Sequence, residues 1–236
     1  LKALIVAAGL GTRLRGIAPS KPLAAVHGKP LIQSVIETAA QAGIGSFVVV
    51  TGYQAAPLET FLDRLAKRTG LSIEMVRNPE WTRSNGLSVV AAEALLGDDF
   101  VLLMADHLFE PSLLTDLLCA RRVPGGVTLA VDRRLDNPLV DLDDVTRVRT
   151  DGDGSILEIG KGLRHYDAFD TGVFLASKGL VAGIRDDLAE GGPGSISGGM
   201  TRLAAMGIAR VFDIGERFWL DVDDSTAWEH AERLTA

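Results

Sequence analysis

From Ala3 to Ala8 the chain is apolar without interruption, and the run stops at Gly9-Leu-Gly-Thr-Arg13. A short apolar run bounded by glycine reads as a buried strand. At Gly9 and Gly11 the side chains vanish, so backbone N–H groups can approach a bound anion. Arg13, and Lys21 within Pro19-Ser-Lys-Pro-Leu23, bring two cations to the same loop. A buried strand that empties into such a turn needs strands beside it and helices above and below it.

The sequence supplies them. Leu31–Ala42 has apolar positions near helical spacing, Phe47–Thr51 is β-branched, Pro57–Arg68 is helical and Leu71–Val76 is a strand. Leu87–Leu96 is helical and Phe100–Ala105 is another apolar strand. This alternation predicts an α/β fold with a largely parallel sheet and helices on both faces. Ligands of such sheets lie at the carboxyl ends of strands. The Gly9–Arg13 turn and Asp106 follow the first and fourth strands, which places them in one crevice.

The second half differs. Val127–Val131, Thr146–Thr150, Ile156–Ile159 and Gly172–Ala176 read as strands, with Asp151-Gly-Asp-Gly154 as a turn between two of them. Leu180–Leu188 and Ile196–Met206 read as helices, Ala209–Asp213 and Phe218–Leu220 as short strands, and Ser225–Leu234 as a closing helix. Glu190–Gly199, rich in Gly and Ser, reads as a flexible loop. No linker or repeat divides the chain. The expectation is one domain over 1–236, with a first half over about 1–125 built on the glycine turn and a second over about 126–236 adding a substrate-binding wall.

A net charge of −7 argues against a general nucleic-acid or membrane-surface binder, which carries a basic excess. The lone Cys119 excludes an internal disulfide and suits a reducing, cytoplasmic setting; its apolar surroundings read as core packing. No apolar stretch reaches the roughly 18 residues of a membrane span. The chain opens on Leu1 rather than Met, which reads as a domain of a longer protein.

The glycine loop is not a dinucleotide fingerprint, because Leu14 stands where the third glycine belongs and Thr51-Gly52 offers no ribose-binding acid. Nor is it a P-loop, because Thr12-Arg-Leu14 replaces Gly-Lys-Ser. What remains is a nest of N–H groups with Arg13 nearby, suited to a triphosphate, or an ordinary βα turn. Lys21, stiffened by Pro22, adds a point charge to the arginine's planar fork. Asp106 ends a buried strand, where a carboxylate is costly without a cation to bind. Mg²⁺ suits it, because that ion takes one or two carboxylates plus phosphate oxygens. Asp221-Val-Asp-Asp224 offers the second carboxylate, with Asp221 and Asp223 on the same side of a strand and Asp223 or Asp224 alternatively capping the last helix. His27, His107, His165 and His230 show no ligand spacing, and Trp81, Trp219 and Trp228 read as packing.

Together, Gly9-x-Gly-x-Arg13, Lys21-Pro-Leu23, Asp106 and Asp221-Val-Asp223 resemble the nucleotidyltransferases that join a phosphorylated small molecule to a nucleotide. Asn85-Gly-Leu-Ser88, Met104-Ala-Asp-His-Leu-Phe109, Ile159-Gly-Lys-Gly-Leu163 and Asp170-Thr-Gly-Val-Phe174 resemble the CTP:inositol-1-phosphate cytidylyltransferases. Choline-phosphate and aminoethylphosphonate cytidylyltransferases share parts of this set. The resemblance implies a Rossmann-like three-layer fold with a mixed, mostly parallel central sheet and a smaller substrate-binding β subregion. It implies CTP held by Ala7, Ala8, Gly9, Gly11, Thr12, Arg13, Lys21, Asn85, Gly86, Ser88 and Asp106, and Mg²⁺ held by Asp106 and Asp223. The acceptor would lie on His107, Lys161, Asp170, Thr171 and Gly172, with Arg13, Lys21 and Lys161 catalytic. One departure is Ala105, where many relatives have glycine. In this family the domain is often fused to a membrane-embedded alcohol phosphotransferase domain, and a helix running to Ala236 fits an excised domain.

The expected chemistry is in-line attack of an acceptor phosphate on the α-phosphorus of CTP, with no general base required. The alternatives are another phospho-acceptor, a sugar-1-phosphate nucleotidyltransferase, a non-catalytic nucleotide-binding module and, more remotely, a nicotinamide-dependent oxidoreductase. Few aromatic residues are available for a choline cage, so a polyol is favoured, with Asp170, Asp132 or His107 hydrogen-bonding its ring.

Overall fold

A computed structural model describes residues 1–14, 16, 18 and 20–234. Pro19, from the lysine segment, and the expected helix end at Ala236 lie outside the described residues. In chain order the elements are β1 (Lys2–Val6), β2 (Ala25–Val26), β3 (Lys29–Pro30), α1 (Leu31–Gln41), β4 (Ser46–Thr51), α2 (Ala55–Thr69) and β5 (Ser72–Arg77). Then come α3 (Gly86–Ala91), β6 (Asp99–Met104), β7 (His107–Phe109), α4 (Pro111–Cys119), β8 (Val127–Asp132), β9 (Arg147–Thr150) and β10 (Ile156–Gly160). The chain closes with β11 (Ala168–Ser177), α5 (Lys178–Ala189), α6 (Ile196–Ala205), β12 (Ala209–Asp213), β13 (Trp219–Asp221) and α7 (Ser225–Leu234).

A nine-stranded sheet runs β10-β9-β11-β6-β1-β4-β5, with β8 also on β11 and β12 on β8. The run β6-β1-β4-β5 is parallel, as the opening alternation predicts. At β11 the direction reverses: β11 is antiparallel to β6, β8 and β9. The α/β, Rossmann-like expectation therefore holds, with parallel pairing concentrated in the first half.

Period-two alternation along β1 explains the layers. Ala3 and Ile5 point into one core with Val35, Ile36, Leu58 and Leu62, while Leu4 points into the other with Val89, Leu180 and Ile184. Helices α1, α2 and α4 cover the first face; α3, α5 and α6 cover the second. A third, smaller cluster joins Leu14 and Leu31 to Leu220, Val222 and Ala231. It roots the lysine segment and the last strand in common apolar ground.

Several expectations change. β1 ends at Val6, although Ala7 still donates to the Val50 carbonyl at 2.9 Å. The helix expected over Leu87–Leu96 stops at Ala91 and continues as a 3-10 turn, Glu93–Leu95. The strand expected from Gly172 begins at Ala168, with Gly172 at φ +76° inside it. Glu190–Gly199 is largely tied down: α6 starts at Ile196, and Gly194 N–H donates to Asp187 at 2.9 Å. Cys119 is exposed, not core. On α4 the buried stripe is Leu113, Leu114 and Leu117, and a residue two beyond Leu117 lies about 200° round the helix. Among the described residues no helix is long and apolar enough to cross a membrane.

Candidate active site

The loop after β1 is built around its glycines. Gly11 is at φ +57°, and a Cβ there would fall 2.4 Å from Cβ of Lys21. Only glycine lets the lysine segment close onto the loop. An added Cβ at Gly9 would meet nothing within 4 Å, so the space above that glycine is open. Buried Leu14 anchors the 3-10 turn Thr12–Leu14 and leaves Arg13 outside. Pro22 is buried behind Lys21 in the next 3-10 turn.

The opposite wall comes from a two-stranded ribbon: β13 lies near the strand expected over Phe218–Leu220, but its partner β7 was absent from the sequence reading. β7 pairs antiparallel with β13, setting His107 beside Asp221. The Val222 amide then donates to the Asp106 carbonyl at 3.0 Å. Asp223 lies past the end of β13, so it joins Asp221 through this turn and not through strand alternation. Asp224 caps α7, accepting from the Ala227 amide at 2.8 Å.

Lys21 sits among the acids. Its Nζ lies 2.5 Å from Asp106 Oδ2, 2.7 Å from Asp223 Oδ1 and 3.9 Å from Asp221 Oδ1. Burial alone would lower its pKa, but Asp106, Asp221 and Asp223 more than offset this and hold it above the ordinary lysine value. Arg13 pairs with Asp223 and Asp144, and Lys161 pairs with Asp144. Asp223 is raised by burial against the pull of Lys21.

His107 donates from Nδ1 to the Thr171 carbonyl at 2.8 Å, which turns Nε2 toward Asp221 Oδ2 at 3.4 Å and Asp106 Oδ1 at 3.8 Å. Burial opposes its charge, yet the two carboxylates raise its pKa to about 10. Asp221 would be raised by burial, but His107 and Lys21 lower it to about 2. Asp106, His107 and Asp221 each offer a ligand atom, all within 4.8 Å of one another. Asp221 Oδ1 is buried without a hydrogen-bond partner. An orphaned acceptor among carboxylates fits a divalent cation. Asp223 adjoins this group through Lys21, which it shares with Asp106.

Two adjoining cavities meet here and share Arg13, Lys21, Asp106 and Asp223. One, of about 280 Å³, is lined by Ala7, Gly9, Gly11 and Thr12. The other, of about 330 Å³, reaches Asn85, His107, Lys161, Asp170 and Gly172. Asp170 is pushed up to about 6 by burial, which its bond from the Gly172 amide and the charge of His107 only partly offset.

Four expected contact residues do not line either cavity. Ala8 is buried, with its carbonyl on the Tyr53 amide at 3.0 Å. Gly86 is pressed against Gly194, whose oxygen a Cβ would approach to 2.3 Å. Ser88 is buried and accepts from Asn78 at 3.1 Å. Thr171 is fully buried with its hydroxyl on the Ala130 carbonyl at 2.8 Å, so only its backbone serves the site. Asp132 is also withdrawn: it is fully buried and held by Arg134, Asn137 and Trp219. Conversely, Asp144 escaped the sequence reading, because an acid in Asp141-Leu-Asp-Asp144 reads as a solvated loop. A carboxylate reaching two cations on different segments leaves no spacing signal.

A profile of the MobA-like NTP transferase domain matches residues 3–190. The chain is 36% identical over 225 residues to the bifunctional IPC transferase and DIPP synthase of Rubrobacter xylanophilus, covering 94% of this chain and 49% of that protein. It is 32% identical over 235 residues to the protein of the same name from Thermococcus kodakarensis, covering 99% and 50%. It thus spans about half the length of these curated relatives. The inositol-1-phosphate CTP transferase structure from T. maritima superposes with a TM-score of 0.84 at 23% identity, covering 98% of this chain and 94% of that one, a likeness of fold.

Proposed function

The chain belongs to the MobA-like NTP transferase family, and from that premise we propose that it transfers the cytidylyl group of CTP to inositol 1-phosphate, giving CDP-inositol and pyrophosphate. The observation that carries this reading is the convergence on one cleft of the glycine loop, Lys21 ringed by three carboxylates, and Lys161 on the far wall. The CTP and inositol specificity is supported by the names of the relatives and by the motifs at Asn85, Lys161 and Asp170.

In this reading, N–H groups of Gly9–Thr12 take the β- and γ-phosphates, and Arg13 and Lys21 neutralise charge as it builds at the α-phosphorus. Asn85 lies toward the base and ribose. Lys161 aligns the acceptor phosphate, and Asp170, beside Gly172, accepts from ring hydroxyls. An acceptor phosphate oxygen forms a bond to the α-phosphorus as the bond to the bridging α–β oxygen breaks, and that electron pair leaves on pyrophosphate. The nucleophile is already anionic near neutral pH, so no side chain removes a proton; positioning and charge stabilisation are the chain's contribution. Asp106 and Asp221, with Asp223 adjacent, would hold Mg²⁺ or a similar ion through carboxylate oxygens. When bound, such an ion would supply positive charge to offset that of the phosphate oxygens. The reaction would run in the cytoplasm, in a longer protein that also carries a membrane-embedded alcohol phosphotransferase portion.

The test is pyrophosphate release measured for four nucleoside triphosphates against inositol 1-phosphate, choline phosphate, aminoethylphosphonate and glucose 1-phosphate, with and without a chelator. CTP with inositol 1-phosphate should lead and should stop with chelation. A leading sugar 1-phosphate would move the chain to sugar-nucleotide synthesis, and nucleotide binding without turnover under any pair would make it a binding module.

A further inference from the structure

The pairing of Asp144 crosses the cleft. One carboxylate oxygen meets Arg13 beside the glycine loop and the other meets Lys161 at the acceptor wall. The turn that carries Asp144 is well made. Asp143 N–H donates to Asp141 Oδ1 at 2.9 Å, and Val145 N–H donates to the Asp141 carbonyl at 2.9 Å. Arg147 fastens this turn and the lysine loop together, donating to the Leu142 carbonyl at 2.8 Å and the Leu163 carbonyl at 3.0 Å. Its guanidinium also lies 4.8 Å from the Tyr166 ring centre. Arg13 approaches from the other side, on a different segment. The Asp144 side chain is 28% exposed, so one side of it already meets water.

We propose that Asp144 is a built-in stand-in for phosphate, which neutralises Arg13 and Lys161 in the empty cleft and couples the donor and acceptor sites by being displaced from both at once. The inference rests on the reading of Arg13 as a donor-phosphate group and Lys161 as an acceptor-phosphate group. A polyphosphate arriving on Arg13 sets anionic oxygens against the Asp144 carboxylate, and like charges at that range repel. Asp144 then turns outward and leaves Lys161 free. The first anion therefore bears the cost of displacement, and the second finds its cation available. Binding at each site strengthens binding at the other, by the same factor in both directions.

Inorganic tripolyphosphate and inorganic phosphate serve as probes for the two sites, titrated calorimetrically in buffer without divalent ions. For the wild type, saturating phosphate should tighten tripolyphosphate binding by about fivefold, the lower end of usual coupling. Asp144→Asn and Asp144→Ser should each bind tripolyphosphate alone about fivefold more tightly than the wild type. In both, added phosphate should no longer change it. Asp143→Asn removes the same charge one residue away and should keep the wild-type coupling. Absence of coupling in the wild type, unchanged or weaker binding by both Asp144 variants, or the same gain in Asp143→Asn would each overturn the proposal. Arg13→Ala separates the two readings: it should weaken tripolyphosphate binding. If it weakens binding while the Asp144 variants change nothing, the donor site stands and the coupling falls. If the wild type binds no tripolyphosphate, both fall.

Discussion

β13 contributes to two acid clusters with opposite characters. Through Trp219 it meets Asp132, a fully buried carboxylate that accepts from Arg134, Asn137 and the indole at 2.8–3.0 Å. Through Asp221 it meets the ring of Asp106, Asp221 and Asp223 around one lysine, where a buried carboxylate oxygen has no hydrogen-bond partner. The first cluster is complete: one acid, one guanidinium and enough neutral donors. The second sets three acids against Lys21, Arg13 and His107, and still leaves Asp221 Oδ1 without a hydrogen bond. A polar cluster that satisfies itself holds the chain together, and one that cannot is arranged for something from outside.

Removing Asp132 attacks the closed cluster. Asp132→Ala takes the acceptor from Asn137 Nδ2 and the Trp219 N–H and leaves Arg134 with only the Arg217 carbonyl and Glu216, and should destabilise the fold by about 3–5 kcal/mol in chemical denaturation. Turnover of the folded fraction should be retained; a stable but inactive variant would erase the distinction. Lys21→Ala attacks the open one. It should raise the reaction barrier by about 3–4 kcal/mol, a hundred- to thousandfold loss in pyrophosphate release. Near wild-type turnover would remove Lys21 from the chemistry.

Asp170 gives the smallest effect and a sign that tests burial. Its pKa rises from the ordinary 3.8 to about 6. The folded chain therefore keeps this proton where the unfolded chain has lost it, so stability falls as pH rises between those values. The penalty is complete above about pH 6. Asp170→Asn should stabilise the protein by on the order of 2 kcal/mol near neutral pH and by almost nothing near pH 3. A stabilisation that is equal at both ends would locate the gain elsewhere.

The open cluster was more legible in the sequence than the closed one. Gly11, Arg13, Lys21 and Asp106 are set by a strand-to-loop transition, and such transitions leave a local pattern of apolar residues, glycine and charge. Asp132 also ends an apolar strand, and nothing local distinguishes it from Asp106. Its partners, Arg134 and Trp219, declare themselves only after folding. The same holds for the β7–β13 ribbon, whose strands are three residues each and lie far apart in the chain. Asp223 was expected beside Asp221 by strand alternation and instead comes to Lys21 and Arg13 by a turn. Cys119 failed for a simpler cause: its neighbours are apolar, but a helix buries only one side of itself.

The hydrogen bond from the Val222 amide to the Asp106 carbonyl joins positions separated by almost half of the described sequence. A ribosome making this segment releases the glycine loop early and Asp221 and Asp223 late. Until those last carboxylates emerge, Arg13 and Lys21 lack Asp223. During synthesis the loop therefore passes through a stage in which only Asp106 and Asp144 offset its cations, and the last strand completes their neutralisation.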